Sequence, residues 1–433
     1  MEYNLSGGSL TDAMNFVPKS PGAASRSYRT VVTPINSGSQ NPGDVMKFDI
    51  PVGKPNAFID TSSTYLLFQV KNLSGTNAFN LDGSAYCFFQ RLDVLSMGQV
   101  LESIQNYHVL CNTLLDLQMD GVVAETTASV HLGTAFDSAQ SQNIGKYGQS
   151  IAANGIQDFA VPLALSGVLG PGLSKYLPVS KVTDLRLEMT IEAATQAVVQ
   201  ATGSASFQLQ NPQLVLTYVE IDPVMASQLD KATGGRYIIS SESWRNYTSI
   251  LPASRSGGSV LIPARYSSAR TFLHVWRDNA NNNDQTKYWL SARSNPFSSA
   301  TGVLSSIQYA IGPTLVPQSP VRFGTSETFM TTQEAFHQLG AVTNGSRCYL
   351  TNWNQANYSD ASTYGMGTFC LGINLDSFQN KSESMTVGMN TINAPTFLNV
   401  TYPAAVSAQQ RLDSYCHFDM VLDISEAGLV ARY

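Results

Sequence analysis

Charged residues are scarce in this chain. Asp, Glu, Lys and Arg make up 13% of its 433 residues, which is about half the usual fraction for soluble domains. A free monomer with so few charges is expected to be poorly soluble. A low charge is typical of a protein whose surface is largely covered by neighbours. The net charge is −6, and the nearest approach to a basic arm is Lys19, Arg26 and Arg29. Three cations do not neutralise clustered phosphates, so strong direct nucleic-acid binding is not predicted.

The sequence also lacks paired cysteines and long apolar runs. Its cysteines are odd in number, widely spaced and never in a CxxC arrangement, which favours buried free thiols in a reducing compartment over disulfides. No apolar stretch approaches the roughly 18 residues that a membrane-spanning helix needs. The first residues, Met-Glu-Tyr-Asn-Leu, have neither the charged nor the apolar region of a secretory signal. The five cysteines are Cys87, Cys111, Cys348, Cys370 and Cys416.

Recognisable catalytic and metal-binding motifs are missing as well. The chain contains no HExxH, GxSxG, GxGxxG or Walker-type sequence, and its five histidines stand far apart. His274 is expected on a strand face rather than on a metal. The polar run Asn279–Asp284 lacks EF-hand spacing and is interpreted as a surface loop. No catalytic, cofactor-binding or metal-binding residue is therefore predicted, no cofactor is expected, and the chain is predicted not to be an enzyme.

What the chain has instead is the composition of strands and turns. Tyr and Phe number 19 each, and Ser, Thr, Asn and Gln are abundant, which is typical of β-proteins. Alternating runs such as Val45–Val52, Thr64–Lys71 and Leu214–Ile221 indicate strands with one buried face. The tryptophans are expected to be core or interface anchors rather than a sugar-binding platform. They are Trp244, Trp276, Trp289 and Trp353.

Length and local composition divide the chain. A chain of 433 residues suits two domains of about 200 residues each. Residues 1–45 are rich in Gly, Ser, Pro and Asn and show no sustained period, which predicts a mostly irregular arm. The segment Lys231–Gly235 has the composition of a linker. The sequence therefore predicts an N-terminal arm at 1–45 and two β-domains at 46–235 and 236–433.

One helix interrupts the strands in each half. Apolar residues recur at helical spacing within Gln105–Met119, which predicts an amphipathic helix, and Ser326–Val342 is its counterpart in the second half. After each helix come a long polar loop and three strands, so duplication of one architecture is favoured over coincidence between two β-sandwiches. The corresponding strands are Gln157–Leu165 with Thr368–Leu375, Asp184–Ala193 with Thr396–Tyr402, and Pro212–Asp222 with Asp413–Ile424.

Three motifs in the first half resemble a known family. They are the strand with its lead-in at Phe58–Lys71, the hairpin Phe88–Leu101 followed by the helix Asn106–Asp116, and Leu173–Pro178 ahead of the strand Asp184–Ile191. Together they resemble the double jelly-roll major capsid proteins of tailless icosahedral DNA viruses, the lineage of tectiviruses, adenoviruses and Polinton-like elements. The resemblance covers mainly residues 58–222, and the second half supports it by strand count and layout.

The resemblance implies an all-β fold of two tandem eight-stranded jelly rolls, each with a short helix, that stand perpendicular to a capsid shell. It implies a pseudo-hexameric homotrimer that tiles an icosahedral virion and assembles inside the host cell. Its implied partners are neighbouring capsomers and minor capsid or penton proteins, and an internal membrane is a further candidate partner of the N-terminal arm.

One alternative stays open at the level of sequence. A single-jelly-roll capsid protein, or a viral spike with a projecting receptor- or carbohydrate-binding β-domain, would have a similar composition. The two hypotheses differ in the second half of the chain. Only the double jelly roll requires a complete eight-stranded sandwich there, with a helix of its own.

Overall fold

Strands dominate the computed structural model of this chain. It describes residues 24–136, 146–200, 202, 204–297, 305–322, 325–336, 345–348, 350–354, 367–376, 387–406 and 408–433. Strands make up 47% and helices 15%, so the protein belongs to the all-β class that its composition predicts. Among these residues, no helix is long and apolar enough to cross a membrane. The five cysteines all lie in the described part of the chain and are not joined in disulfides, and all but Cys348 are buried.

The first half forms two main sheets and two small ones. Its strands are β1 (Ser25–Val32), β2 (Ser39–Gln40), β3 (Val45–Asp49), β4 (Ala57–Asn72), β5 (Phe79–Leu81), β6 (Phe89–Ser96), β7 (Gln99–Gln105), β8 (Thr134–Phe136), β9 (Lys146–Gly148), β10 (Ser150–Ile151), β11 (Ile156–Pro162), β12 (Leu177–Pro178), β13 (Arg186–Ile191), β14 (Val198–Val199) and β15 (Phe207–Ile221). One main sheet has the order β1-β15-β4-β11 and the other β3-β13-β6-β7. Every second side chain is buried along β13 and, apart from a break at Ser62 and Ser63, along β4, as expected of strands with one face on the core.

The second half forms two sheets of its own. Its strands are β16 (Tyr237–Leu251), β17 (Gly257–Ile262), β18 (Ala269–Asp278), β19 (Ser306–Ile311), β20 (Thr314–Arg322), β21 (Leu371–Asn374), β22 (Thr396–Thr401), β23 (Gln410–Ser425) and β24 (Gly428–Arg432). One sheet has the order β16-β23-β18-β21 and the other β17-β22-β19-β20. All these strand pairs are antiparallel.

Both halves follow one strand order. In each half, the two sheet orders given above contain eight strands. Numbered 1 to 8 along the chain, these strands have the order 1-8-3-6 in one sheet and 2-7-4-5 in the other, in both halves. Two facing four-stranded sheets with this crossed order are a jelly roll. Each pair of corresponding strands predicted from the sequence occupies the same place in its jelly roll, so the repeat of architecture is confirmed.

Helices connect the strands. They are α1 (Tyr107–Gln118), α2 (Gly121–Glu125), α3 (Thr127–Leu132), α4 (Ala194–Ala197), α5 (Pro223–Ala232), α6 (Thr325–Ala335) and α7 (Leu350–Trp353), with a 3-10 turn at Ala85–Phe88. The helix predicted for each half follows the fifth main strand of its jelly roll. It is α1 in the first half and α6 in the second. Residues 337–342 of the second predicted helix lie outside the described residues.

The amphipathic pattern predicted for α1 is wrong. Ten of its twelve residues are buried, including His108, Asn112 and Asp116. The physical reason is that the second jelly roll packs against the side of α1 that was expected to face water. Tyr415 of β23 donates a hydrogen bond to the carbonyl oxygen of Asn106 at the start of α1, at 3.0 Å.

The irregular arm predicted for residues 1–45 is wrong in its second part. Residues 25–32 form β1, which pairs with β15 along its whole length, from Ser25 opposite Ile221 to Val32 opposite Leu214. Residues 1–23 lie outside the described residues. The predicted linker at Lys231–Gly235 is the last turn of α5 followed by a tight turn, in which Gly234 and Gly235 have φ of 64° and 73°. Glycine suits both positions because it adopts positive φ without strain.

Candidate functional site

Buried carboxylates line the junction between the two jelly rolls. Asp82, Glu102, Asp116 and Asp413 are all buried, and each accepts hydrogen bonds from the opposite jelly roll or from both. An ionised group inside a protein is tolerated only when it is paired and hydrogen-bonded. We therefore describe this junction as the candidate site, because it fixes how the two jelly rolls sit together.

Asp413 of β23 forms the most highly connected of these clusters. Arg277 of β18 contacts it with Nε at 3.0 Å from Oδ2, and Arg411 places Nε 3.3 Å from Oδ1. Thr248 donates to the same carboxylate at 2.7 Å. Burial raises the pKa of Asp413, but the charges of Arg277 and Arg411 outweigh burial and leave that pKa below its ordinary value. The cluster is therefore an ionised carboxylate held by two guanidinium groups.

The first turn of α1 attaches to the same cluster. Asn106 precedes α1 with a left-handed backbone conformation, φ 49°, which asparagine tolerates better than most residues. Its side-chain amide donates to Asn246 at 3.1 Å and to Asp413 at 3.3 Å, and its amide oxygen accepts from Arg411 at 3.1 Å. The start of α1 is thus fixed to strands β16 and β23 of the second jelly roll.

The last turn of α1 attaches through Asp116. Its carboxylate contacts Arg293 and lies 2.9 Å from Nη2 of Arg347, and all three side chains are buried. Its carbonyl oxygen also accepts from the backbone N–H of Arg347 at 2.9 Å. Burial lowers the pKa of Arg347, and the neighbouring Arg293 lowers it further while Asp116 opposes both. One carboxylate therefore compensates two buried cations, which makes Asp116 the central charge of this end of the helix.

Two further carboxylates join the halves through neutral donors. Asp82 accepts from the backbone N–H groups of Trp289 and Leu290, both at 2.7 Å, and of Ser291 at 3.0 Å. Burial raises the pKa of Asp82, and these hydrogen bonds oppose that increase. The carboxylate of Asp82 thus ties the segment 289–291 of the second half to the first jelly roll.

Glu102 of β7 makes the corresponding bridge to β16. It accepts from the backbone N–H of Gly167 at 2.7 Å, from the hydroxyl of Ser166 at 2.7 Å, and from the hydroxyl of Ser243. Burial raises its pKa, and the three donors counteract that effect. The four carboxylates together can hold two sandwiches in one orientation, and donors surround each of them.

His274 and the tryptophans lie where the sequence predicts them. His274 is buried in the second jelly roll, with Nδ1 2.9 Å from Oγ of Ser414 and Nε2 against the hydroxyl of Tyr309. Burial lowers its pKa to about 3, so it is a neutral core histidine on a strand. Within the part of the chain that the structure describes, no group of His, Cys, Asp or Glu is arranged to hold a metal ion. The tryptophans are core residues: Trp244, Trp276, Trp289 and Trp353 are all buried.

Sequence analysis missed the junction carboxylates. Asp413 is separated from Arg277 by 136 residues and Asp116 from Arg293 by 177, and no local period connects residues so far apart. One signal was present: Asp116 lies between two leucines of a helix, and Asp413 follows Leu412 and shortly precedes Tyr415 and Cys416 in its strand. A charge in such a place is rare unless it is paired.

Comparison with known proteins gives a likeness in structure and none in sequence. No protein-family model matches the chain, and no curated protein matches it either. The Faustovirus major capsid protein superposes with a TM-score of 0.63 at 10% identity, covering 97% of this chain and 94% of that one. PBCV-1 VP54, fitted into a reconstruction of the virophage Sputnik, gives 0.60 at 12% identity, covering 96% and 98%.

A third solved structure extends the likeness over the whole chain. The mavirus major capsid protein gives a TM-score of 0.51 at 10% identity, covering 100% of this chain and 96% of that one. At such identities the likeness concerns the fold, and the fold agrees with the strand order found in both halves. This chain has the double jelly-roll fold that the viral major capsid proteins named here share.

Proposed function

We propose that this chain is a major capsid protein, a structural component of the virion with no catalytic role. The observation that carries the proposal is the second half, which has its own eight strands in jelly-roll order and its own helix α6 after the fifth strand. The Faustovirus and mavirus proteins of the same fold are major capsid proteins. The likeness covers nearly all of each chain.

The finer proposal is a pseudo-hexameric homotrimer. Three copies place six jelly rolls around one axis, and closed cyclic symmetry gives a tile that fills hexagonal positions of an icosahedral shell. The buried junction supports this because a tile needs both of its jelly rolls in one fixed orientation. The low charge supports it as well, since large interfaces between copies cover surface that few charges keep soluble.

Exposed apolar side chains indicate where neighbouring copies would contact one another. Ile156 of β11, Ile250 of β16 and Leu261 of β17 are 55%, 59% and 54% exposed. Side chains of this kind are enriched in interfaces that form permanent assemblies. Neighbouring capsomers are therefore the proposed main partners, followed by minor capsid or penton proteins, and by an internal membrane for the N-terminal segment. The proposed place of assembly is the interior of the host cell.

The proposed domains follow the two jelly rolls. The second is proposed to span residues 236–433. The first begins at β1 rather than at residue 46, because β1 supplies the first strand of its sheet. This leaves residues 1–24 as the proposed arm.

The alternative function does not call for a complete jelly roll in the second half. A single-jelly-roll capsid protein or a spike with a projecting receptor- or carbohydrate-binding domain has no need of a second jelly roll in the same strand order. The order 1-8-3-6 and 2-7-4-5 in the second half therefore favours the tile over the spike.

The proposal is tested by the solution mass and shape of the purified chain. Light scattering is expected to give about 140 kDa, three times the chain mass of 46.8 kDa, and negative-stain images of the same peak are expected to show a hexagonal outline. A stable monomer at every protein and salt concentration, with no hexagonal particles, would overturn the trimeric tile.

A further inference from the structure

An apolar groove lies beside α5 and is lined by residues of both jelly rolls. Its volume is about 620 Å³, within the range of about 300–1,000 Å³ that is usual for binding pockets. Apolar side chains from β4, β15, α5, β16 and the loop before β12 line it. They include Phe58, Tyr176, Val219, Leu229 and Ile238.

Several of these side chains are poorly covered. Tyr176, Ile238 and Leu229 are 54%, 44% and 39% exposed. Contact between water and apolar side chains on one concave surface is unfavourable. A second apolar surface that fills the groove displaces this water and lowers the free energy. An apolar segment that binds in this groove is therefore expected to stabilise the protein.

The described chain begins at the wall of this groove. Ser25 is one of the lining residues, and the carbonyl oxygen of Ala24 accepts a hydrogen bond from the backbone N–H of Asp222, the residue that caps α5, at 3.0 Å. This contact fixes the point from which residues 1–23 depart. Val17 is seven residues before Ala24, so it stays within about 25 Å of this point however the chain runs.

The preceding segment has the chemistry that the groove requires. Residues 10–17 read Leu-Thr-Asp-Ala-Met-Asn-Phe-Val, which brings four large apolar side chains within eight positions. Before Lys19 the only charged side chains of the sequence are Glu2 and Asp12, and these are opposite in sign to Lys175, which also lines the groove.

We propose that residues 10–17 dock into this groove of the same chain, with Met14, Phe16 and Val17 against Leu229 and Ile238. The docked segment covers apolar surface of both jelly rolls, and it stabilises α5, of which only Ala226 is buried. The proposal does not depend on the capsid function, because it concerns a contact within one chain. A chain that forms no trimer still tests it.

Hydrogen exchange measures whether the segment covers the groove. Phe16→Asp places a charge in the docked segment, and Leu5→Asp makes the same change outside it. Amide exchange in α5 is expected to accelerate about tenfold with Phe16→Asp, since local protection follows the free energy of the contact that is lost. Leu5→Asp is expected to leave it unchanged. Equal exchange in both variants and in the parent chain would overturn the proposal.

Disulfide trapping identifies the chain that supplies the segment. Phe16→Cys combined with Ile238→Cys is expected to form an intrachain disulfide under mild oxidation. Phe16→Cys with Ile250→Cys is the matched control, because Ile250 is also an exposed isoleucine and lies about 40 Å away along the same strand β16. Disulfides between two chains would assign the groove to a neighbour's segment and overturn docking within one chain. Equal trapping at both positions would overturn a specific site.

Discussion

Arg277 and Asp413 form an ion pair from which water is excluded on every side. Both side chains are 0% exposed, and Nε of Arg277 lies 3.0 Å from Oδ2 of Asp413. The guanidinium group also stacks on Trp289, with its carbon 4.0 Å from the ring centroid. Since Asp413 additionally binds Asn106 of the first half, this pair belongs to the core of the second jelly roll and to the junction at once.

Removing the cation of this pair should destabilise the protein strongly. Arg277→Met keeps most of the side-chain volume but leaves Asp413 with Arg411 as its remaining ionic partner. Breaking one side of a buried pair costs about 3–5 kcal/mol, because an uncompensated charge stays behind. We expect the free energy of unfolding in urea to fall by about 3 kcal/mol, at the lower end of that range because Arg411 remains.

A surface pair provides the control for this measurement. Arg186 and Asp49 lie 2.7 Å apart on neighbouring strands β13 and β3, with side chains 35% and 46% exposed. Solvent-exposed pairs contribute about 0–1 kcal/mol, so Arg186→Met is expected to change the unfolding midpoint little. Similar losses for Arg277→Met and Arg186→Met would contradict the role assigned to burial.

His274 should make the protein less stable in mild acid. Its pKa is about 3 in the folded chain because burial opposes its charged form, and about 6.5 when the chain unfolds. Between these values the unfolded state binds more protons than the folded state, so stability falls as the pH falls, by at most about 1.4 kcal/mol per pH unit.

The contribution of His274 is isolated by substitution. His274→Gln keeps polar atoms near Ser414 and Tyr309 but does not titrate. The free energy of unfolding of this variant, measured in urea from pH 7 to pH 4, is expected to depend less steeply on pH than that of the parent chain. Parallel curves for the two proteins over this range would show that His274 is not the group responsible.

How far the fold could be predicted depended on the periodicity of individual strands. Alternation in β15 and helical spacing in α1 were clear, because one local pattern specifies each element. β1 was missed since its sequence, Ser-Arg-Ser-Tyr-Arg-Thr-Val-Val, is largely polar and it lies at a sheet edge with five of eight side chains exposed. β20 contains Pro317 and Pro320, and proline argues against a strand except at an edge, which is where β20 lies.

The junction was less predictable than the jelly rolls. Each jelly roll is specified by its own alternating strands, whereas the junction depends on which charged residues of distant segments meet. The buried faces of α1 show this limit: their polar residues looked like the solvent side of an amphipathic helix, and only the second jelly roll makes them interior. A pattern within one segment carries no information about its partner, so the carboxylates could be identified only from the assembled structure.

The polar side-chain contacts of Arg26 and Tyr28 in β1 converge on a single carboxylate. Glu220 of β15 is 5% exposed, and it contacts Arg26 at 2.6 Å, Lys54, and the hydroxyl of Tyr28 at 2.8 Å. Glu220→Gln removes the charge that holds both cations. Hydrogen bonds to charged groups contribute about 1.5–3 kcal/mol, so we expect exchange of the β1 amides to accelerate at least tenfold.

The control for this prediction is another glutamate of the first jelly roll. Glu188 on β13 is 20% exposed and has only distant cations, with Lys47 at 3.6 Å and Arg186 at 4.0 Å. Glu188→Gln should leave exchange of the β1 amides as it is in the parent chain. If both variants accelerate that exchange to the same extent, a general loss of negative charge explains the effect better than the local contact does.

Two glycines of one loop should respond differently to the same substitution, because they approach β16 to different depths. A Cβ on Gly167 would lie 2.3 Å from the carbonyl oxygen of Glu242 and 2.8 Å from the terminal methyl of Met420, whereas a Cβ on Gly172 would lie 3.5 Å from the side chain of Glu242. Gly167→Ala therefore forces the loop away from the second jelly roll, and overpacking of this kind costs about 1–3 kcal/mol. We expect a lower unfolding midpoint for Gly167→Ala and an unchanged one for Gly172→Ala. Equal midpoints would mean that the loop gives way freely, and that the close contact between the jelly rolls at this point contributes little to their attachment.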